Sequence, residues 1–177
     1  MAISLTDSLT DALAELQAEI PVGRLTPPEN LHLTLNFLGE LRDPQVVEAH
    51  EALEAIRAKP VRIELTGLDL LGAGRPQALH ATIRSTEPLL ALQRKVTQAL
   101  RSAGLDLPRQ RYHPHITLAR FNRQPQGLEA TGLAAFLQAN AVAALPGFMA
   151  EAITLFRSDL GIGGAVHSEL GCYPLVP

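Results

Sequence analysis

The chain has 177 residues, 46% of them hydrophobic and 19% charged, enough apolar material for a buried core and too much for a disordered chain. Its 13 Gly and 13 Pro punctuate it too often for a coiled coil. A net charge of -3 excludes a global basic field for long duplexes, so any nucleic-acid contact must be local. No stretch approaches the roughly 18 apolar residues of a membrane span, and the N-terminus lacks a basic segment followed by an apolar one. The single cysteine, Cys172, excludes an internal disulfide and a cysteine-rich metal site; it reads as a small buried residue in a reducing compartment. A soluble, cytoplasmic, monomeric protein is expected.

In chain order, Ala2 to Leu5 reads as an edge strand. A helix follows, with Leu9, Leu13, Leu16 and Ile20 at helical spacing, ended by Pro21 and Gly23. From Leu31 to Leu38, the residues Leu31, Leu33, Leu35 and Phe37 alternate with His32, Thr34 and Asn36, the period-two pattern of a half-buried strand. Asp43 and Pro44 suit the N-cap and first turn of a helix carrying Val47, Leu53 and Ile56. Two alternating strands come next, Val61 to Leu65 and Leu79 to Ile83, with the turn sequence LGAGRP between them.

Thr86 and Pro88 open another helix, striped by Leu89, Leu92, Val96 and Leu100 and closed near Gly104. A strand over His113 to Ala119 places His113, His115 and Thr117 on one side and Ile116 and Leu118 on the other. Residues 125–146 are Ala-rich and only weakly periodic. Strands return at Glu151 to Arg157 and Ala165 to Tyr173. Five arginines between Arg101 and Arg123 face a single acid, Asp106; such a run is either a solvated surface or a place where anions settle.

Two tetrapeptides share one pattern, His32-Leu33-Thr34-Leu35 and His115-Ile116-Thr117-Leu118, nearly half a chain length apart. On a strand, residues i and i+2 project from the same face about 7 Å apart, so each imidazole and hydroxyl can grip one small group such as a phosphate. If the half-chains face each other, one imidazole stands on each side of a phosphorus atom, the geometry of in-line displacement. With unperturbed pKa values near 6.5, one ring can serve as base and the other as acid.

The segments PENLHLTLNFLGE and YHPHITLAR resemble the paired signatures of the two-histidine (2H) phosphoesterase superfamily, in its RNA 2′,3′-cyclic phosphodiesterase (2′-5′ RNA ligase-like) branch. The likeness extends into the tail LFRSDLGIGGAVHSEL. The chain departs from the family in a shorter, less aromatic opening strand and in His80 and His167, which stand where aromatic residues are commoner. The resemblance implies an α+β fold over residues 1–177, bilobal, with two pseudo-symmetric lobes of antiparallel sheet backed by helices around a central cleft. It also implies metal-independent hydrolysis of RNA or nucleoside 2′,3′-cyclic phosphate to 2′-phosphate, with no cofactor, and 2′-5′ joining of RNA ends as a second activity. His32 is then the proton donor and His115 the base, while Thr34 and Thr117 bind non-bridging oxygens. Arg120 would hold phosphate charge, but strict alternation sets it on the Ile116 side, so this role needs a bulge or strand end.

Two other readings use the same residues. His113 and His115 on one strand face, with His32, could ligate zinc in a metallohydrolase. A non-catalytic RNA-end binder would use the arginine cluster, with Tyr112 or Phe121 for stacking. His50 is expected to face solvent, and His80 and His167 to be structural.

Overall fold

The sequence patterns resolve in the computed structural model, which describes residues 1–72, 74–109, 111–141, 143, 145–161 and 164–177. Ala73 of the LGAGRP turn and residues 162–163 of the tail lie outside the described residues, as do 142 and 144 of the Ala-rich segment. The elements are β1 (Ala2–Ser4), α1 (Asp7–Ala18), β2 (Arg24–Leu25), a 3-10 turn (Pro28–Asn30), β3 (His32–Thr34), α2 (Asp43–Glu54), β4 (Val61–Ile63), β5 (Leu65–Leu71), β6 (Ala78–Ile83), α3 (Glu87–Ser102), β7 (His115–Arg120), α4 (Leu128–Ala139), β8 (Phe148–Ala150), β9 (Ala152–Gly161) and β10 (Gly164–Pro174). This is an α+β fold with antiparallel pairing throughout.

One sheet has the order β10-β9-β1-β3, a second β2-β7-β6-β5, and β4 pairs with β8 alone. The opening strand is therefore interior, not an edge. β1 pairs with β3 on one side and β9 on the other, and Ala2 and Ile3 are buried. The hairpin across the Gly-rich turn is β5–β6, while Val61 to Ile63 turns away to pair with β8. The alternating apolar face after the first motif also stops early: Leu31, Leu33 and Leu35 are buried, but Phe37 is 61% exposed.

The third helix, α3, behaves as its sequence dictates. Thr86 caps α3, its hydroxyl accepting from the Leu89 amide at 3.5 Å, and Leu89, Leu92, Val96 and Leu100 are buried against α2 and β4. Each such side chain contributes about 1.5–3 kcal/mol when fully buried. Gly104, at φ 88°, ends the helix, and the Leu105 amide reaches back to the Leu100 carbonyl at 3.1 Å, a Schellman closure that only a residue tolerant of positive φ allows. In the Ala-rich segment, α4 buries Leu133 and Phe136.

Two single residues differ from expectation. Cys172 is exposed, because β10 alternates and directs Tyr173 inward. His50 does not simply face solvent: its Nδ1 lies 2.8 Å from the Tyr173 hydroxyl and its Nε2 3.3 Å from Glu54. Among the described residues, no helix is long and apolar enough to cross a membrane.

Candidate active site

The two motif strands approach each other, β3 from the first sheet and β7 from the second. Tyr112, just before β7, ties them by donating its hydroxyl to the Thr34 carbonyl at 3.1 Å. Burial raises its phenol pKa well above the usual range, so it stays a donor. Where the strands meet, a cleft of about 680 Å³ is lined by His32, Thr34, His115, Thr117 and Arg120. All five site candidates of the sequence thus share one cavity. Neither threonine hydroxyl has a hydrogen-bond partner among the described residues, which leaves both available to a ligand.

Arg120 reaches the cleft through a break in strand pairing. Along β6 and β7, His80 pairs with Thr117 while Leu79 pairs with Ala119, so Leu118 is an extra residue. A bulge of this kind reverses the alternation beyond it, and Leu118 and Ala119 are consecutively buried while Arg120 is exposed. The Leu118 carbonyl accepts from the Thr26 amide at 2.8 Å and from Gln17 Nε2 at 2.8 Å. Gln17, 4% exposed, also donates to the Thr26 carbonyl at 2.8 Å, so α1 holds the bulge in place.

The tautomer of His115 is set by its backbone. Its Nδ1 lies 2.7 Å from the His113 carbonyl, which can only accept, so Nδ1 carries the proton and Nε2 is bare in the neutral ring. The His80 ring meets it edge to face, with centroids 5.1 Å apart and planes at 68°. His32 stacks on Phe156 at 5.8 Å and meets His167 edge to face at 4.9 Å. Burial first, then the neighbouring His167, push the His32 imidazole down to about 4, against an opposing effect of the Asn30 backbone. Burial and then His115 push His80 down to about 4. Burial also lowers His167. Burial therefore favours neutral rings at His32, His80 and His167 near pH 7.

Each motif histidine thus has a companion histidine that sequence reasoning set aside as structural. His167 lines the cleft and His80 stands against His115. The only sequence signal was their departure from aromatic residues. Arg24 was also missed. It is the register partner of Arg120 across β2 and β7 and lines the same cleft. Like charges directly opposite on a sheet are destabilising, and an anion seated near both relieves that repulsion.

The residues of the competing readings are placed differently. His113 contributes its carbonyl to His115, and its side chain lines an adjoining groove, not the cleft. Among the described residues, no three His, Cys, Asp or Glu side chains gather closely enough to hold a metal ion. Phe121 is half-buried over Gly23, and Tyr112 is half-buried with its hydroxyl engaged, so neither offers the open face of Phe37.

Residues 5–161 match the family model described as the 2′-5′ RNA ligase superfamily. An RNA 2′,3′-cyclic phosphodiesterase of Aeropyrum pernix is 37% identical over 94 residues, 52% of this chain and 53% of that protein. One of the same name from Geobacillus stearothermophilus is 27% identical over 167 residues, 90% of this chain and 52% of that protein. The chain thus spans about half the length of these curated relatives. The crystal structure of E. coli LigT in apo form has the same fold, with a TM-score of 0.80 at 20% identity over 99% of this chain and 95% of that one.

Proposed function

The chain belongs to the 2′-5′ RNA ligase superfamily, and on that premise we propose that it hydrolyses RNA or nucleoside 2′,3′-cyclic phosphates to 2′-phosphates. One observation carries this reading: two imidazoles, two unengaged threonine hydroxyls and an arginine, encoded in distant segments, line a single cleft. The curated relatives bearing the cyclic phosphodiesterase name add support.

In the proposed reaction the bare Nε2 of His115 removes a proton from water as its oxygen attacks phosphorus. The bond from phosphorus to the 3′ oxygen breaks, and His32 supplies the proton that oxygen needs. Proton exchange with solvent then restores both rings. Thr34 and Thr117 donate to the non-bridging oxygens, and Arg120 and Arg24 balance the negative charge that builds on them.

His32 must be protonated to act as the acid, yet burial and the neighbouring His167 push its pKa down to about 4. The substrate resolves this, because a phosphodiester anion beside the ring favours imidazolium. The acid is thus armed by the molecule it serves. With a 5′-hydroxyl end in place of water, the same pair joins that end to the cyclic phosphate through a 2′-5′ linkage: His115 takes the hydroxyl proton as the new bond to phosphorus forms, and the 3′ oxygen leaves with a proton from His32. Residues 1–177 act as one catalytic unit, since neither motif segment supplies both rings.

The test is turnover of a 2′,3′-cyclic nucleotide in EDTA, with the product read by phosphorus NMR. A 2′-phosphate is expected, formed at the same rate with or without chelator. A 3′-phosphate, or activity that EDTA removes and zinc restores, contradicts the reading.

A further inference from the structure

A cyclic phosphate ends an RNA strand, so the nucleotides before it must leave the cleft by some path. Two grooves adjoin the cleft, and both share Thr34 and Phe37 with it. They differ in charge. The groove beside β9 and β10 is lined by Glu40 and Asp43, and its Arg157 is held by Asp159 at 2.9 Å. The groove along α3, about 760 Å³, is lined by Arg94, Arg101, Arg109 and Arg111 and by no acid among the described residues.

These four arginines are not equivalent. Arg94 is paired with Glu87. Arg101 donates to the Leu107 and Pro108 carbonyls at 3.2 and 3.4 Å, which leaves its charge intact while it anchors the chain leading to Arg109. Arg109 and Arg111 are exposed and make no ion pair among the described residues. Phe37, 61% exposed, stands at the junction of groove and cleft as a face on which a base can stack.

We infer that the enzyme takes single-stranded oligoribonucleotides, and that the strand upstream of the cyclic phosphate runs along the α3 groove, with its phosphates on Arg109 and Arg111 and a base on Phe37. The inference rests on the proposed activity for its choice of strand end, and charge fixes the direction. A phosphate chain is attracted to the α3 groove and repelled from the Glu40 and Asp43 side. Arg109 and Arg111 line the α3 groove and not the cleft, so a mononucleotide seated in the cleft forgoes their contacts.

The test is fluorescence anisotropy with a labelled RNA of about eight nucleotides ending in a 2′-phosphate, titrated with the parent and with Arg109→Gln/Arg111→Gln at several salt concentrations. The parent is expected to bind this RNA more tightly than it binds a 2′-mononucleotide. The double variant is expected to bind it about tenfold more weakly, with the slope of log affinity against log salt reduced by about 1.4, the share of two phosphate contacts on a single strand. Phe37→Ala should weaken binding with no change in that slope. Equal affinity for RNA and mononucleotide overturns the inference, as does an unchanged salt slope in the double variant whose melting temperature matches the parent's. Preference for an acidic peptide over the RNA overturns it too. Because the readout is binding of a product strand, it is separate from turnover. Failure of hydrolysis with this binding intact removes the proposed reaction alone, and the converse removes the strand path alone.

Discussion

His80 meets His115 edge to face at 5.1 Å, and its own Nδ1 is buried with no hydrogen-bond partner. The ring thus backs His115 as a body, while one of its polar atoms is left unsatisfied, a state that costs about 1–3 kcal/mol. Together with the hydrogen bond from His115 Nδ1 to the His113 carbonyl, this contact braces the His115 ring from two directions.

His80→Phe keeps the ring and removes the orphaned nitrogen, so this variant is expected to melt no lower than the parent and to keep kcat within about threefold. His80→Ala leaves a cavity, with an expected stability loss of about 2–4 kcal/mol and a fall in kcat of about tenfold or more as His115 loses its orientation. Thermal melts and steady-state rates for the pair check this. Equal rates in both variants would show that the contact does not position His115.

Stability should depend on pH in a defined window. His32 and His80 are held near 4 in the fold, against about 6.5 in the unfolded chain. Between those values the unfolded state binds more protons, so stability is full above about 6.5, falls as pH drops toward 4, and loses nothing further from these groups below it. Urea midpoints at pH 7.5, 5.5 and 4.5 should decline, and His80→Phe should flatten the decline. A flat midpoint over this range in the parent would contradict the buried, neutral state of both rings.

The same shift at His32 has a kinetic signature. The profile of kcat/KM against pH reports the free enzyme and that of kcat the substrate complex. An apparent pKa near 4 in kcat/KM is expected to move upward in kcat, because the bound phosphodiester favours the protonated ring. Coincident values in the two profiles would mean that substrate does not charge His32.

Gln17 is expected to matter to Arg120 although it lies far from the cleft in sequence. Gln17→Leu removes one donor from each of the Leu118 and Thr26 carbonyls, a loss of about 1–3 kcal/mol, and frees the bulge that turns Arg120 toward the cleft. Urea denaturation and kcat should fall together in this variant. A loss of stability with kcat unchanged would show that the bulge holds without Gln17.

The sequence made the chemistry-bearing strands legible because His-x-Thr flanked by hydrophobic residues is itself a strand pattern, and α3 was legible because Thr86, Pro88, the Leu/Val stripe and Gly104 all agree. What stayed hidden depended on pairing between distant segments. The Leu118 bulge leaves no local mark, since its carbonyl is bonded by Gln17 on α1 and by the Thr26 amide, both distant in sequence. Ala2 to Ser4 is short enough to suit an edge, and only β9 closing on its far side makes it interior. His80 and His167 lack any motif, and their contacts with His115 and His32 arise from sheet registers that alternation within one strand does not encode. Phe37 continues an apolar alternation that ended with β3.

The most direct measurement is the rate of cyclic nucleotide hydrolysis by the parent, His32→Ala and His115→Ala under identical conditions in EDTA. Removal of either ring is expected to lower kcat by about 10²–10⁴-fold with folding retained by circular dichroism. Near-parent turnover in either variant would mean that the two imidazoles do not work on one phosphorus.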